Sequence, residues 1–125
     1  MALSSAMEDY LEAVFMLQKR KGYVRCVDVA DQLGVKKPSV SRAVKELSKS
    51  GHIMKTANGT LSLTEQGLQL AEQIYEKHRF FTKQLIDAGV DPKTAESDAC
   101  RIEHVISKET FERLKAARKL SGKAV

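Results

Sequence analysis

The sequence predicts a mainly α-helical protein in which a winged helix-turn-helix, residues 1–66, is followed by a helical region, residues 67–125. Three observations support this fold class. Two short helical segments are joined by a turn at Gly34, the dipeptide Asn58-Gly59 separates two strand-like segments, and the later segments have helical periodicity. Helix, turn, helix and hairpin in this order are the elements of a winged helix-turn-helix.

The first predicted helix begins at Ser5, which forms a capping-box pattern with Glu8. Its apolar residues occupy one face, whereas Asp9, Glu12 and Met16 share the opposite face. A hydrophobic core does not suit two carboxylates, and a solvated face does not require a methionine. We therefore expect this helix to be covered on both sides.

The helix-turn-helix is predicted from residues 27–33 and from a second helix that begins at Pro38. Proline is favoured in the first turn of a helix because its missing N–H has no hydrogen-bond partner there. In the second helix Val40, Val44 and Leu47 recur at spacings of four and three, which predicts a buried stripe.

The hairpin and three further helices complete the predicted order of elements. Strands at 52–56 and 60–64 form the wing, with Asn58-Gly59 supplying the positive φ angles of a tight turn. The later helices are predicted from Thr64 to about Ala88, from Asp91-Pro92 to about Ile106, and from Ser107 to a point before Ser121-Gly122.

Positive charge is concentrated in one segment of the chain. Six basic residues and one acid, Glu46, lie between residues 36 and 55, so this segment alone carries the whole chain's net charge of +5. A local excess of this kind is what a phosphate-facing surface requires. We therefore predict that the second helix binds the DNA major groove, although a solvated face of a protein-interaction module remains an alternative.

The predicted DNA contacts form two groups. Arg42 can read a guanine edge, and Ser39 and Ser41 can reach bases or phosphates. The second group neutralises phosphates and sets the register, and it consists of Lys36, Lys37, Lys45, Lys49 and Lys55.

A metal-binding pattern lies outside the winged helix. Cys100, Glu103 and His104 form a C-x-x-E-H motif on a predicted helix, so their side chains project from one face and can converge on one ion. The acids Asp9 and Glu12 have a similar spacing of three. Taken separately, an acidic pair is also typical of a solvated face, and a cysteine is also typical of a small core residue.

The strings MEDYLEAVF, EKHRFF and DACRIEHVIS, spaced around the winged helix, resemble the DtxR/MntR family of metal-dependent repressors over essentially the whole chain. The resemblance implies that the metal ligands are Asp9, Glu12, His78, Cys100, Glu103 and His104. It also implies a homodimer that binds a double-stranded DNA operator. The C-terminal SH3-like domain of longer relatives is expected to be absent, because the chain ends soon after the final helix.

The implied ligand set combines two branches of that family. Asp9 and Glu12 match the manganese-type members, whereas Cys100 stands where those members have glutamate and matches the iron-type members. Carboxylates suit Mn(II), whereas a thiolate favours softer Fe(II), Co(II) or Zn(II), so ligand chemistry alone leaves these ions open. The expected cofactor is Fe(II) or Mn(II). A second ion per subunit would have Glu96 as a substitute ligand.

The expected mechanism follows from where the implied ligands lie along the chain. An ion bound by the first helix and by the later helices would fix the spacing of two recognition helices in a dimer. Ala95, Ala99, Ile102 and Ile106 would suit the dimer interface. The predicted function is a metal-dependent transcriptional regulator, specifically a repressor of metal-uptake genes.

Two other functions are compatible with the same residues, namely a winged-helix regulator controlled by a small organic ligand and a small metalloenzyme. We predict no enzyme, because no additional base or oxyanion motif accompanies the metal pattern. The N-terminal segment, residues 1–15, carries three acids where a secretory signal has a basic flank, which predicts a cytoplasmic protein without a membrane partner. Cys26 and Cys100 are therefore expected not to form a disulfide, and Cys26 and His52 are assigned structural roles.

Overall fold

The computed structural model describes residues 3–120, and within them it contains six α helices and three β strands. In chain order these are α1 (Ser5–Lys21), β1 (Val24–Arg25), α2 (Cys26–Leu33), α3 (Lys37–Lys49), β2 (Ile53–Lys55), β3 (Thr60–Leu63), α4 (Glu65–Asp87), α5 (Pro92–Val105) and α6 (Lys108–Leu120). The chain divides into two compact units, Met1–Gln73 and Ile74–Val125, and this division falls within α4. The mainly α-helical prediction is confirmed, and the domain boundary at 66/67 stays a prediction.

The first helix is capped one residue earlier than expected. Ser4, not Ser5, is the N-cap residue, because its Oγ accepts a hydrogen bond from the Met7 amide at 3.2 Å. Residues 11–15 are all buried, and Glu12 is only 7% exposed. Five consecutive buried residues span more than one helical turn, so the middle of α1 is covered on every side, as expected.

The two helices of the helix-turn-helix meet at Gly34, whose φ of +67° is a left-handed conformation that glycine adopts without strain. Helix α3 begins at Lys37, so Pro38 lies at the second helical position and not at the first. Val40, Val44 and Leu47 are all buried, with exposed fractions of 0–6%. The predicted stripe of α3 is therefore the face that contributes to the core of unit 1.

The wing belongs to a three-stranded antiparallel sheet in which β3 lies between β1 and β2. The sequence did not predict β1, which pairs Val24 with Leu61 and Arg25 with Thr60. The turn also differs from the expected two-residue turn. Among the described residues only glycines have positive φ, so Gly59 (+88°) adopts this conformation and Asn58 does not. The Gly59 amide instead closes a four-residue turn on the Thr56 carbonyl at 3.0 Å.

The helices of unit 2 begin where the sequence predicts. Asp91 accepts hydrogen bonds from the Lys93 and Thr94 amides, and Ser107 accepts one from the Thr110 amide. The expected end of the last helix, before Ser121-Gly122, lies outside the described residues.

An aromatic cluster forms the core of unit 2. The Phe80 and Phe111 rings pack edge to face with their centroids 5.4 Å apart, and Ile102 and Ile106 pack against this cluster. Ala99 belongs to the same cluster and Ala95 is fully buried. Ala95 and Ala99 therefore have no surface left for the expected dimer interface, because the subunit itself buries them completely. Ile102 and Ile106 are only half-buried, and their place in that interface stays a prediction.

Candidate metal centre and nucleic-acid interface

The exposed face of α3 carries the residues predicted to bind DNA. Ser41, Arg42, Lys45 and Lys49 are exposed, whereas Ser39 is half-buried. Their side chains lie opposite the buried stripe because apolar and polar residues alternate with the helical period. Helix α3 therefore packs its apolar face against the core and exposes small polar and basic side chains to solvent.

Further positive charge lies at the start of α3 and in the wing. Lys36 and Lys37 are exposed at the N-terminal end of the helix, and Lys55 is exposed at the end of β2. Within residues 3–120 none of these lysines forms an ion pair, and neither does Arg42. Their charges are therefore not compensated by the protein itself, which leaves them available for phosphate groups.

The predicted acidic ligands of unit 1 lie one turn apart on α1. Asp9 is half-buried and Glu12 is buried. Carboxyl groups are rarely buried in this way without a compensating charge or hydrogen bond. Their burial is unusual for a pair that would otherwise belong to a solvated face.

In unit 2 the structure brings together side chains from α4 and α5. His78 Nδ1 lies 2.7 Å from Glu103 Oε1, and His104 Nε2 lies 3.8 Å from Glu103 Oε2. Glu103 is only 1% exposed. The buried Glu103 carboxyl group therefore lies beside two imidazole rings. One belongs to His78, which is 25 positions earlier in the chain, and the other belongs to the adjacent residue, His104.

The chemistry of these groups fits a divalent metal ion. Glu103 Oε2 is buried and accepts no hydrogen bond from any of the residues that the structure describes. A buried carboxylate oxygen in this state is costly, and a cation is one way to compensate it. Imidazole nitrogen and carboxylate oxygen are ligands that first-row transition metals accept.

Cys100 lies beside this group on the same helix, α5. It is half-buried and lines an open cavity of about 490 Å³ together with His78 and Glu96. Within residues 3–120 neither Cys26 nor Cys100 forms a disulfide bond. Lys93 and Arg101, which are not among the predicted site residues, also line the cavity. No sequence signal distinguishes these two basic residues from the other exposed residues of α5.

The protein combines a winged helix-turn-helix, whose second helix is basic, with a helical unit whose side chains are of the types that bind metal ions. This combination is that of a metal-dependent DNA-binding transcriptional regulator. The family comparison agrees. Residues 2–58 match the iron dependent repressor N-terminal DNA binding domain, and residues 64–119 match the iron dependent repressor metal binding and dimerisation domain. The chain belongs to the iron-dependent repressor family, whose members are transcriptional regulators that bind DNA, dimerise and bind metal ions.

Individual relatives show the same relationship. The chain is 33% identical over 115 residues to an uncharacterized HTH-type transcriptional regulator of Methanocaldococcus jannaschii, covering 90% of this chain and 92% of that protein. It is 35% identical over 109 residues to the transcriptional regulator MntR of Listeria monocytogenes serotype 4a, covering 87% and 77%. The solved manganese regulator SloR superposes with a TM-score of 0.81 at 27% identity, covering 99% of this chain and 56% of SloR.

No helix among the described residues is both long enough and apolar enough to cross a membrane.

Proposed function

We propose that this protein represses metal-uptake genes and that Fe(II) or Mn(II) activates it for operator binding. The observation that carries the proposal is the group formed by His78, Glu103 and His104 in unit 2. Its central carboxyl group is buried, and one of its oxygens receives no hydrogen bond from residues 3–120. Such a carboxylate oxygen destabilises an ordinary hydrophobic core, whereas in a metal site the bound cation compensates its charge.

The proposed ligands are the six residues that the family resemblance implies: Asp9, Glu12, His78, Cys100, Glu103 and His104. A bound divalent cation would supply the positive charge that these carboxyl and thiol groups require. Three acids favour a hard ion such as Mn(II), and the Cys100 thiolate favours Fe(II). We propose Glu96 as an additional ligand if each subunit binds two ions, because Glu96 lines the same cavity as His78 and Cys100.

The proposed DNA contacts divide into reading and positioning residues. Arg42 reads a guanine edge with help from Ser39 and Ser41. The exposed lysines bind phosphates and set the register of the protein on the duplex: Lys36, Lys37, Lys45, Lys49 and Lys55. Both sets act from each subunit of a homodimer on two half-sites, and the protein acts in the cytoplasm.

DNA binding measured against a panel of metals tests the proposal. The probe is a duplex selected from a random library by the wild-type protein, and Mn(II), Fe(II), Co(II) and Zn(II) are each compared with chelator under anaerobic conditions. We expect Mn(II) or Fe(II) to tighten binding most at the concentrations available in cells. Equal binding in chelator and in every metal would contradict the proposal and would favour control by an organic ligand.

The two cysteines provide a matched pair for the ligand assignment. Metal should protect Cys100 from a thiol reagent, because a ligated thiolate is not free to react, and it should leave Cys26 reactive. Cys100→Ser should weaken metal-dependent DNA binding, while Cys26→Ser should not. If metal protects neither thiol, Cys100 is not a ligand.

A further inference from the structure

The side chain of Arg25 makes a long-range contact with the wing. Arg25 Nη1 donates a hydrogen bond to the Asn58 carbonyl oxygen at 3.0 Å, across 33 residues of sequence. Asn58 lies in the turn between β2 and β3, while Arg25 lies on β1, the neighbouring strand of the sheet. The guanidinium group therefore joins the turn of the wing to the opposite edge of its own sheet.

The backbone of Arg25 is held by a second hydrogen bond, at the start of α2. Its amide donates to Asp28 Oδ2 at 2.9 Å, which is the capping hydrogen bond at the start of α2. Asp28 Oδ1 in turn lies 2.7 Å from the Lys21 Nζ in the last turn of α1. A chain of polar contacts thus runs from α1 through the start of α2 to the wing turn, entirely within unit 1.

Among the described residues, Arg25 makes the one hydrogen bond that joins the wing turn to a residue outside the β2–β3 hairpin. Residues 56–58 are exposed, so no hydrophobic contact holds them in place. The other hydrogen bonds of residues 56–59 stay within the β2–β3 hairpin: the Gly59 amide donates to the Thr56 carbonyl, and Thr56 and Asn58 are hydrogen-bonded to Thr60 of β3. Segments of this kind open locally at low cost.

The glycine at position 59 leaves room for the Arg25 side chain beside the turn. Its φ is +88°, and a Cβ at this position would lie 3.3 Å from Arg25 Nη1. Glycine therefore allows both the backbone conformation of the turn and the close approach of the guanidinium group.

We infer that Arg25 is a positioning residue for DNA binding, which holds the wing in the orientation that the duplex requires and does not itself contact a phosphate. Arg25 lies on β1, outside both α3 and the β2–β3 wing, so it would be a DNA-binding determinant in a further element of unit 1. A charged donor to a carbonyl oxygen is stronger than a neutral hydrogen bond, which suits a contact that must persist at an exposed site. The planar guanidinium group also fixes its direction.

The test uses full-length Arg25→Met and Arg20→Met proteins. Arg20 is the matched control, because its Nη2 also donates a hydrogen bond between elements, to Gln32 Oε1 at 2.9 Å, without touching the wing. Hydrogen exchange of the Gly59 and Thr60 amides is measured first, without DNA. We expect exchange to accelerate in Arg25→Met and to stay at the wild-type rate in Arg20→Met. Unchanged wing exchange in Arg25→Met would overturn the inference.

Affinity for the selected duplex is then measured over a series of KCl concentrations with MnCl₂ present. We expect Arg25→Met to bind about three- to tenfold more weakly with the same slope of log affinity against log salt, since no phosphate contact is lost. A slope that flattens by about one unit would show that Arg25 neutralises a phosphate, and this would overturn the inference. Unchanged affinity would do so as well.

Arg25→Lys tests whether the positive charge of residue 25 is sufficient or whether the planar guanidinium group is required. It also provides a second variant for the same measurements if Arg25→Met folds poorly. Lysine keeps the positive charge but lacks the planar group of donors. We expect it to show the faster wing exchange and weaker binding of Arg25→Met. Wild-type exchange and affinity in Arg25→Lys would show that charge alone is sufficient, contrary to the inference.

Discussion

His78 Nδ1 lies 2.7 Å from Oε1 of Glu103, a carboxyl group with almost no exposure to solvent. The second oxygen of the same carboxyl group receives no hydrogen bond from the described part of the chain, residues 3–120. One oxygen is therefore held in place by the histidine while the other remains available. This is the arrangement that a metal site needs, because a fixed orientation of the ligand reduces the cost of binding.

Replacement of Glu103 by glutamine should remove the metal response. The amide has nearly the same shape as the carboxyl group, but it lacks the charge that a cation requires. We expect metal affinity to fall at least about 100-fold, since even changes in groups that only support a ligand cost about 10- to 100-fold. Calorimetric titration with MnCl₂ measures this change. Glu109→Gln, at an exposed acid of α6, is the control, and equal affinities in the two variants would remove Glu103 from the ligand set.

The division of the DNA contacts into reading and positioning residues is tested by Arg42→Ala and Lys55→Ala. Loss of a bidentate contact from Arg42 to guanine should cost about 1 to 3 kcal/mol on the selected duplex and relax specificity at one position. Loss of Lys55 should instead weaken all duplexes alike and flatten the salt dependence by about one unit. Fluorescence anisotropy with selected and random duplexes measures both effects. The division is wrong if the two variants lose the same affinity on both duplexes.

The starts of α4, α5 and α6 were predictable because their signals are local. Thr64, Asp91 and Ser107 each accept a hydrogen bond from an amide two or three residues later, so sequence alone identifies them. Strand β1 was not predictable in this way. It has only two residues, and pairing with β3, more than thirty residues away, holds it in place.

The candidate site shows the same limit. The residue types and spacings of the C-x-x-E-H motif identify possible ligands on one helix, because positions three and four apart share a face. The contact between His78 and Glu103 joins two helices and depends on tertiary packing. Phe80 of α4 is likewise only 2% exposed because it packs in the aromatic cluster with Phe111, a contact that depends on tertiary packing.

Gly67→Ala should destabilise the protein, although glycine to alanine normally stabilises a helix. A Cβ at Gly67 would lie 1.9 Å from the carbonyl oxygen of His52 and 2.8 Å from its carbonyl carbon, so the backbone would have to move. We expect the free energy of unfolding to fall by about 3 kcal/mol. Urea denaturation measures it, with the exposed Gln69→Ala as a control that should stay within about 0.5 kcal/mol. A Gly67→Ala protein as stable as the wild type would contradict this packing.

Asp28→Asn should make stability less dependent on acid pH. The Lys21 ammonium, which donates a hydrogen bond to Asp28, and the Arg25 amide hold the pKa of that carboxyl below its ordinary value of 3.8. Because the pKa is lowered in the folded state, the stabilisation is complete above the ordinary value and is lost as the pH falls through the lowered one.

The variant should therefore be less stable than the wild type at neutral pH, by about 1 kcal/mol or less for a pair at the surface. The difference should shrink below pH 3.8. Urea denaturation at several pH values gives the comparison, and Asp31→Asn on the same helix is the control. A difference that stays constant to the lowest pH would show that Asp28 does not act through its charge.

The last prediction concerns the linkage between metal and DNA. A ligand shifts a conformational equilibrium only by binding one state more tightly than the other. If metal strengthens operator binding by some factor, operator DNA must therefore tighten metal binding by the same factor, with typical couplings of about 5- to 150-fold. Metal affinity is measured with and without the selected duplex, and duplex affinity is measured with and without chelator.

Two variants show whether the coupling acts through the implied ligands. His104→Ala and Asp9→Ala should each lose the metal response, although neither residue lies on α3 or in the wing. Both should still bind the duplex at the level of the chelated wild type, because their DNA-facing residues are unchanged. Glu109→Gln should retain the full response. Wild-type duplex affinity that chelator does not change would reject the coupling even if metal is bound, since the ion would then have a purely structural role.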